Sequence, residues 1–202
     1  GMGLGIAALR LVVCGLFVGH GLQKLKGWFG GHGPERTGEM FDGLGLRPGR
    51  HHATAAGVAE TAGGALLATG LLTPVAGSVL TGTMATAIRK VHAPKGVWST
   101  QGGYECNLTL IAAIFAVVDT GPRRLSLDSA LGIEGSGLAV ALAQLAAGLA
   151  GSAAVIALGE RAPEPEPQPQ PAPAAEAEPY RPRFVERADA ARAEHDGEPA
   201  NR

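Results

Sequence analysis

Hydrophobic and polar positions along this chain fall into long blocks. Five blocks are almost continuously apolar and rich in Ala and Gly: Leu4 to Leu22, Ala53 to Leu72, Val75 to Val91, Asn107 to Thr120 and Gly135 to Gly159. A bilayer core of about 30 Å is crossed by a helix of about 17 to 25 residues, so the blocks predict five membrane-spanning helices. The fourth reaches the lower limit only when counted from Tyr104. Thr73-Pro74 alone separates the second block from the third, which predicts a tight helical hairpin.

Within the blocks small residues recur every fourth position: Gly57, Thr61, Ala65 and Thr69; Gly77, Thr81 and Ala85; Gly15 and Gly19. Small residues let helix backbones approach closely in lipid, so the spans are expected to pack on one another. The expected fold class is all-α, a polytopic transmembrane helical bundle. The first block lacks a basic leading region and a clear A-x-A site, and reads as a retained span rather than a cleaved signal.

Composition adds the surroundings. The chain is 46% hydrophobic and 17% charged with a net charge of −1, which favours the lipid bilayer as partner and gives no footing for nucleic acid. From Glu160 to Arg202 the sequence turns polar, with Glu-Pro and Gln-Pro repeats between Pro163 and Pro171. Such a segment has too little apolar surface to offset its ordering entropy and is expected to be a disordered, partly polyproline tail. Two cysteines are too few for a disulfide framework. Cys14 lies about 10 Å inside the first span and Cys106 at a membrane face, too far apart to bridge.

Charge gives an orientation. Lys24, Lys26, Arg36, Arg47, Arg50, Lys90, Lys95 and Arg161 flank the spans on one side, and Arg123 and Arg124 are the chief basic residues on the other. The first side is therefore expected to be cytoplasmic, with the tail inside and the amino terminus outside. Inside the spans, Arg10 and Glu60 lie at depths that differ by about 3 Å and are expected to pair, because either charge alone in lipid is costly. Glu60 is also a candidate proton carrier.

The cytoplasmic ends collect the candidate chemistry. His20, Gln23 and Lys24 share one helical face, Arg89 and His92 are three apart, and Gly102-Gly103-Tyr104-Glu105 leads into the fourth span. Trp28, Trp98 and Tyr104 suit the headgroup level. Histidine exchanges protons near neutral pH, so His20, Gln23, Glu60, His92 and Glu105 form the candidate catalytic set. Neither HxxxH nor CxxC spacing occurs, so no metal site is expected, and no Gly-rich stretch opens a βαβ unit for a dinucleotide.

Four segments together are distinctive: Gly19 to Leu25 followed by Gly27-Trp28-Phe29-Gly30-Gly31, then Glu60-Thr61-Ala62-Gly63-Gly64, Val91 to Gly96, and Gly102 to Glu105. In this order and spacing the chain resembles the DoxX family of bacterial membrane proteins, and Ser126-Leu127-Asp128 fits that family's usual end. The resemblance implies a four-helix bundle in the bacterial inner (plasma) membrane over residues 1–132. The fifth span, 133–159, and the tail, 160–202, are additions to it. The family takes its name from subunits of an archaeal quinone-linked oxidase and is associated with thiosulfate oxidation and thiol or oxidant defence, although most members have no assigned activity.

The resemblance thus implies a membrane subunit of a redox assembly, with quinone as the implied cofactor and redox enzymes or further copies of the chain as implied partners. Two alternatives stand beside it: a small polar-solute or proton transporter lined by Arg10 and Glu60, and a non-catalytic membrane scaffold.

Overall fold

The computed structural model describes residues 4–122, 125–133 and 135–163, which are helical apart from short connections. The helices are α1 (Leu4–Lys26), α2 (Gly33–Gly43), α3 (Gly49–Thr69), α4 (Thr73–Ala87), α5 (Glu105–Thr120), α6 (Leu127–Leu131) and α7 (Leu138–Arg161). The expected polyproline tail and the basic pair Arg123 and Arg124 lie outside the described residues.

All five apolar blocks are helices, with ends displaced by a few residues. α2 and α6 were not evident from hydropathy, because both are short and sit between apolar blocks. The one local signal for α2 is Pro34 in its first turn with Glu35 behind it, an arrangement that suits the free N–H groups of a helix start.

α1 packs on α3, α3 on α4, and α4 on α5, while α7 lies against α4 and α5. Successive long helices run in opposite directions, so the structure has two ends. The α3–α4 hairpin, the end of α5 and the start of α7 share the hairpin end. The ends of α1, α4 and α7, the starts of α3 and α5, and α2 share the other. Phe17, Leu67, Leu80, Ile114, Val117 and Val118 fill the core between them and are fully buried.

Small residues make the contacts only in part as the spacing predicts. A Cβ on Gly21 would collide with the Thr61 hydroxyl and the Gly57 carbonyl, so α1 and α3 meet backbone to backbone there. Gly77, Thr81 and Ala85 are buried as expected. Ala65 and Thr69 are exposed, and a Cβ on Gly15 or Gly19 would meet nothing within 4 Å. A strict four-residue repeat advances 400° and drifts around a helix of 3.6 residues per turn, so a long stripe leaves the interface.

The expected Arg10–Glu60 pair does not form. Arg10, only 4% exposed, donates from Nη1 to the Pro122 carbonyl at 2.7 Å and from Nη2 to the carbonyls of Leu125 at 2.7 Å and Ala68 at 3.1 Å. Glu60 instead holds Lys24, Nζ to Oε2 2.6 Å. The cause is side-chain direction, since helical Cβ atoms tilt toward their own helix's amino terminus. Arg10 therefore leans to the hairpin end, whereas Lys24 leans into the bundle and Glu60, on an antiparallel helix, leans to meet it.

Asp128 completes the hairpin end. Its carboxylate accepts from the N–H groups of Leu72 at 2.7 Å and Thr73 at 2.9 Å, and its own N–H donates to the Gly70 carbonyl at 2.8 Å. α4 lacks a capping side chain of its own, so a residue 55 positions away supplies the acceptor. In the sequence, Ser126-Leu127-Asp128 stood out only as fitting the DoxX family's usual end, with no sign of this role.

Candidate functional site

The end of the bundle opposite the hairpin contains a cavity of about 770 Å³, lined among others by His20, Lys24, Glu60, His92, Cys106 and Asn107. α1 supplies the first two, and Gln23 orients His20. The Gln23 amide donates from Nε2 to the Phe29 carbonyl at 3.1 Å, which turns Oε1 toward His20 Nδ1 at 3.0 Å. An amide oxygen only accepts, so Nδ1 carries the proton and the lone pair of a neutral His20 lies on Nε2.

His92 reaches the same tautomer by another route. α4 continues into a π-helical turn, Ile88–His92, and a 3-10 turn, Ala93–Lys95. At the end of the π turn His92 Nδ1 meets the Gly102 carbonyl at 2.6 Å, so this ring also donates from Nδ1. Its acceptor is held by a compact loop in which Gly103 N–H bonds the Trp98 carbonyl and Tyr104 N–H the Gly96 carbonyl. A Cβ at Gly103 would fall 2.5 Å from the Val97 carbonyl oxygen, so the loop closes only around glycine. The motif Gly102-Gly103 thus positions His92.

The cavity gathers three of the five candidate catalytic residues. His20, Glu60 and His92 line it; Gln23 stands behind His20; Glu105 is not on its wall. Glu105 accepts from the Ser99 N–H at 2.9 Å. Hydrogen bonds from the Ser99 side chain and backbone hold its carboxyl below the ordinary value of 4.5. Glu105 is therefore a loop fastener rather than a wall group. Arg89 is exposed. Sequence reasoning missed Lys24 as the partner of Glu60, and it missed Ser99 and Asn107 in the lining, which carry no motif signal. Cys14 is buried and Cys106 exposed, both as free thiols. No cluster of three or more His, Cys, Asp or Glu suited to a metal occurs among the described residues.

The outside of the bundle is apolar. Leu4, Leu11 and Val12 on α1 and Leu138 and Leu158 on α7 are each more than 60% exposed. Exposed apolar side chains of this size, grouped on two long helices, belong against lipid or protein. Among the described residues α1 and α7 are long and apolar enough to cross a membrane. Residues 5–93 match one known family. That family is DoxX. The DoxX match includes α1 to α4 and the π turn that ends on His92, and with them His20, Gln23, Lys24 and Glu60. The loop from Gly96 to Glu105, α5 and α7 lie beyond it. Comparison with curated proteins and with solved structures gives no match. DoxX proteins are membrane proteins, in keeping with the apolar flanks of α1 and α7.

Proposed function

We propose that this DoxX-domain protein is a multi-pass membrane protein that binds a quinone head in its cavity and serves as the membrane subunit of a redox assembly. One observation carries the reading: two imidazoles with fixed Nδ1 protons line a single, mainly apolar cavity of a size suited to a small-molecule site. A protonated imidazole donates from Nε2 to a quinone oxygen, and a neutral one takes a proton back from a hydroquinone hydroxyl. Two protons and two electrons convert the quinone to the hydroquinone. The protons pass through His20 and His92, and the electrons come from a thiol- or thiosulfate-oxidising partner.

α1, α3, α4 with its π turn, α5 from Asn107 onward and α7 are the spans, and the cavity end is the cytoplasmic one because Lys24, Lys26, Lys90, Lys95 and Arg161 flank it. The carboxyl-terminal tail then lies on the same side. The host membrane is the bacterial inner membrane. The transporter alternative loses its proposed lining, since Arg10 is tied to carbonyls at the hairpin end and apolar side chains fill the core between it and Glu60.

Titrating detergent-purified protein with 2-methyl-1,4-naphthoquinone tests the reading. Saturable binding that weakens at least tenfold in the double variant His20→Leu/His92→Leu is expected. Absence of saturable binding, together with solute uptake into proteoliposomes, would reject the redox reading in favour of transport.

A further inference from the structure

The cavity is long as well as large. Along α4 its wall runs from His92 to Ser78, about 20 Å at about 1.5 Å per residue, or from one end of the bundle to well past its middle. Its ionisable lining gathers toward one end, at His20, Lys24, His52, Lys90 and His92, and Glu60, midway along α3, turns toward that end to meet Lys24.

The remainder is apolar despite its hydroxyl residues. Ser78 donates to the carbonyls of Pro74 and Gln144, Thr83 to that of Leu80, and Thr86 to that of Gly82, with Ser152 bonded to Thr86 at 2.9 Å. Each of these hydroxyl protons is donated within the protein, so none is offered to the cavity. Along its length the cavity is walled on the α3 side by Ala55, Ala56 and Ala59, which precede Glu60, and on the α7 side by residues no larger than Val155. Val79 and Val155 are 39% and 40% exposed, so the slot opens along the flank of the bundle.

We infer that the slot between α3 and α7 holds the single long apolar chain of a bilayer-dissolved ligand, entered sideways from the lipid, and that Gly151 sets the width of chain admitted. The inference rests on the reading of the cavity as a ligand site. The occupant follows from the shape: one polar end at the membrane face, then a narrow apolar run parallel to the helices. α7 lies outside the DoxX match, so this wall belongs to the part of the chain added to the domain. Gly151 is the residue through which it acts. It lines the cavity, and a Cβ there would meet nothing within 4 Å, so a larger side chain enters the slot without disturbing the fold. Neighbouring Gly148 differs, because its Cβ would strike Thr81 at 2.7 Å in the α4–α7 contact.

The test compares full-length wild type, Gly151→Leu and Gly15→Leu, the last adding the same bulk at an exposed glycine of α1 outside the cavity. Thermal melts establish that all three fold. The probes are 2-methyl-1,4-naphthoquinone, the same ring carrying a decyl chain, and 1-dodecanol, with bound molecules counted by native mass spectrometry. Gly151→Leu is expected to bind the decyl-bearing ring at least tenfold more weakly than wild type and the chainless ring within twofold, with Gly15→Leu unchanged for both. If wild type binds neither ring but holds dodecanol, and Gly151→Leu loses it, the quinone reading fails and the chain slot stands. Equal retention of the chain-bearing probes by Gly151→Leu, a wild type that binds none of the three, or a tightly held two-chain phospholipid that no probe displaces would each overturn the slot.

Discussion

Lys24 and Glu60 show how one residue pair carries both stability and site character. The carboxylate is 3% exposed, and its ammonium partner closes one wall of the cavity. Removing either partner strands a charge in a desolvated place, while removing both relieves it. Glu60→Leu and Lys24→Met are each expected to destabilise by about 2 to 4 kcal/mol, and the double variant by less than the sum. Thermal melts that simply add would show that the pair is uncoupled.

Glu105 gives a pH dependence at the same scale. Ser99 holds its folded-state carboxyl below the ordinary value of 4.5, so the fastening contributes fully above that value and is lost as pH falls through the lowered one. Amide exchange in the loop from Gly96 to Glu105 is expected to accelerate below pH 4.5 in wild type, and to be fast and insensitive to this titration in Glu105→Ala. A loop equally protected on both sides of that titration would contradict the role.

At the scale of elements, Arg10 and Asp128 join the ends of four helices. Arg10 binds carbonyls at the end of α3 and in the connection after α5, while Asp128, in α6, caps α4. Arg10→Leu leaves three carbonyls without their donor and is expected to cost about 3 kcal/mol or more. Arg10→Lys is expected to recover little, because an ammonium lacks the planar fork that reaches carbonyls on separate segments. Chemical denaturation of both variants measures this. A wild-type midpoint in Arg10→Leu would mean that the clasp carries no net stability. Helix existence was legible at this scale because each apolar block is long and nearly uninterrupted. The clasp was not, since depth along a helix axis says nothing about which face of the helix carries the side chain or which segment that face meets.

For the whole molecule, the two native cysteines report topology. Cys106 is exposed at the cavity end and Cys14 is 2% exposed in the core. A membrane-impermeant maleimide is expected to label Cys106 in inside-out vesicles and not in right-side-out ones, leaving Cys14 unmodified until the protein is denatured. Labelling from the opposite face would invert the proposed orientation.

The sequence by itself determined the all-helical class, the five long helices and the DoxX resemblance, since these follow from runs of apolar residues and from motifs contiguous in the chain. It also grouped His20, Gln23 and His92 at one end, because alternating helices return their polar tips to the same side. Only the tertiary structure decided that Lys24 rather than Arg10 meets Glu60, that Glu105 fastens a loop outside the cavity, and that α7 walls a slot across α4. Each of these depends on which helix faces meet and where side chains point after packing. That information resides in contacts between residues far apart in the chain, and no local pattern encodes it.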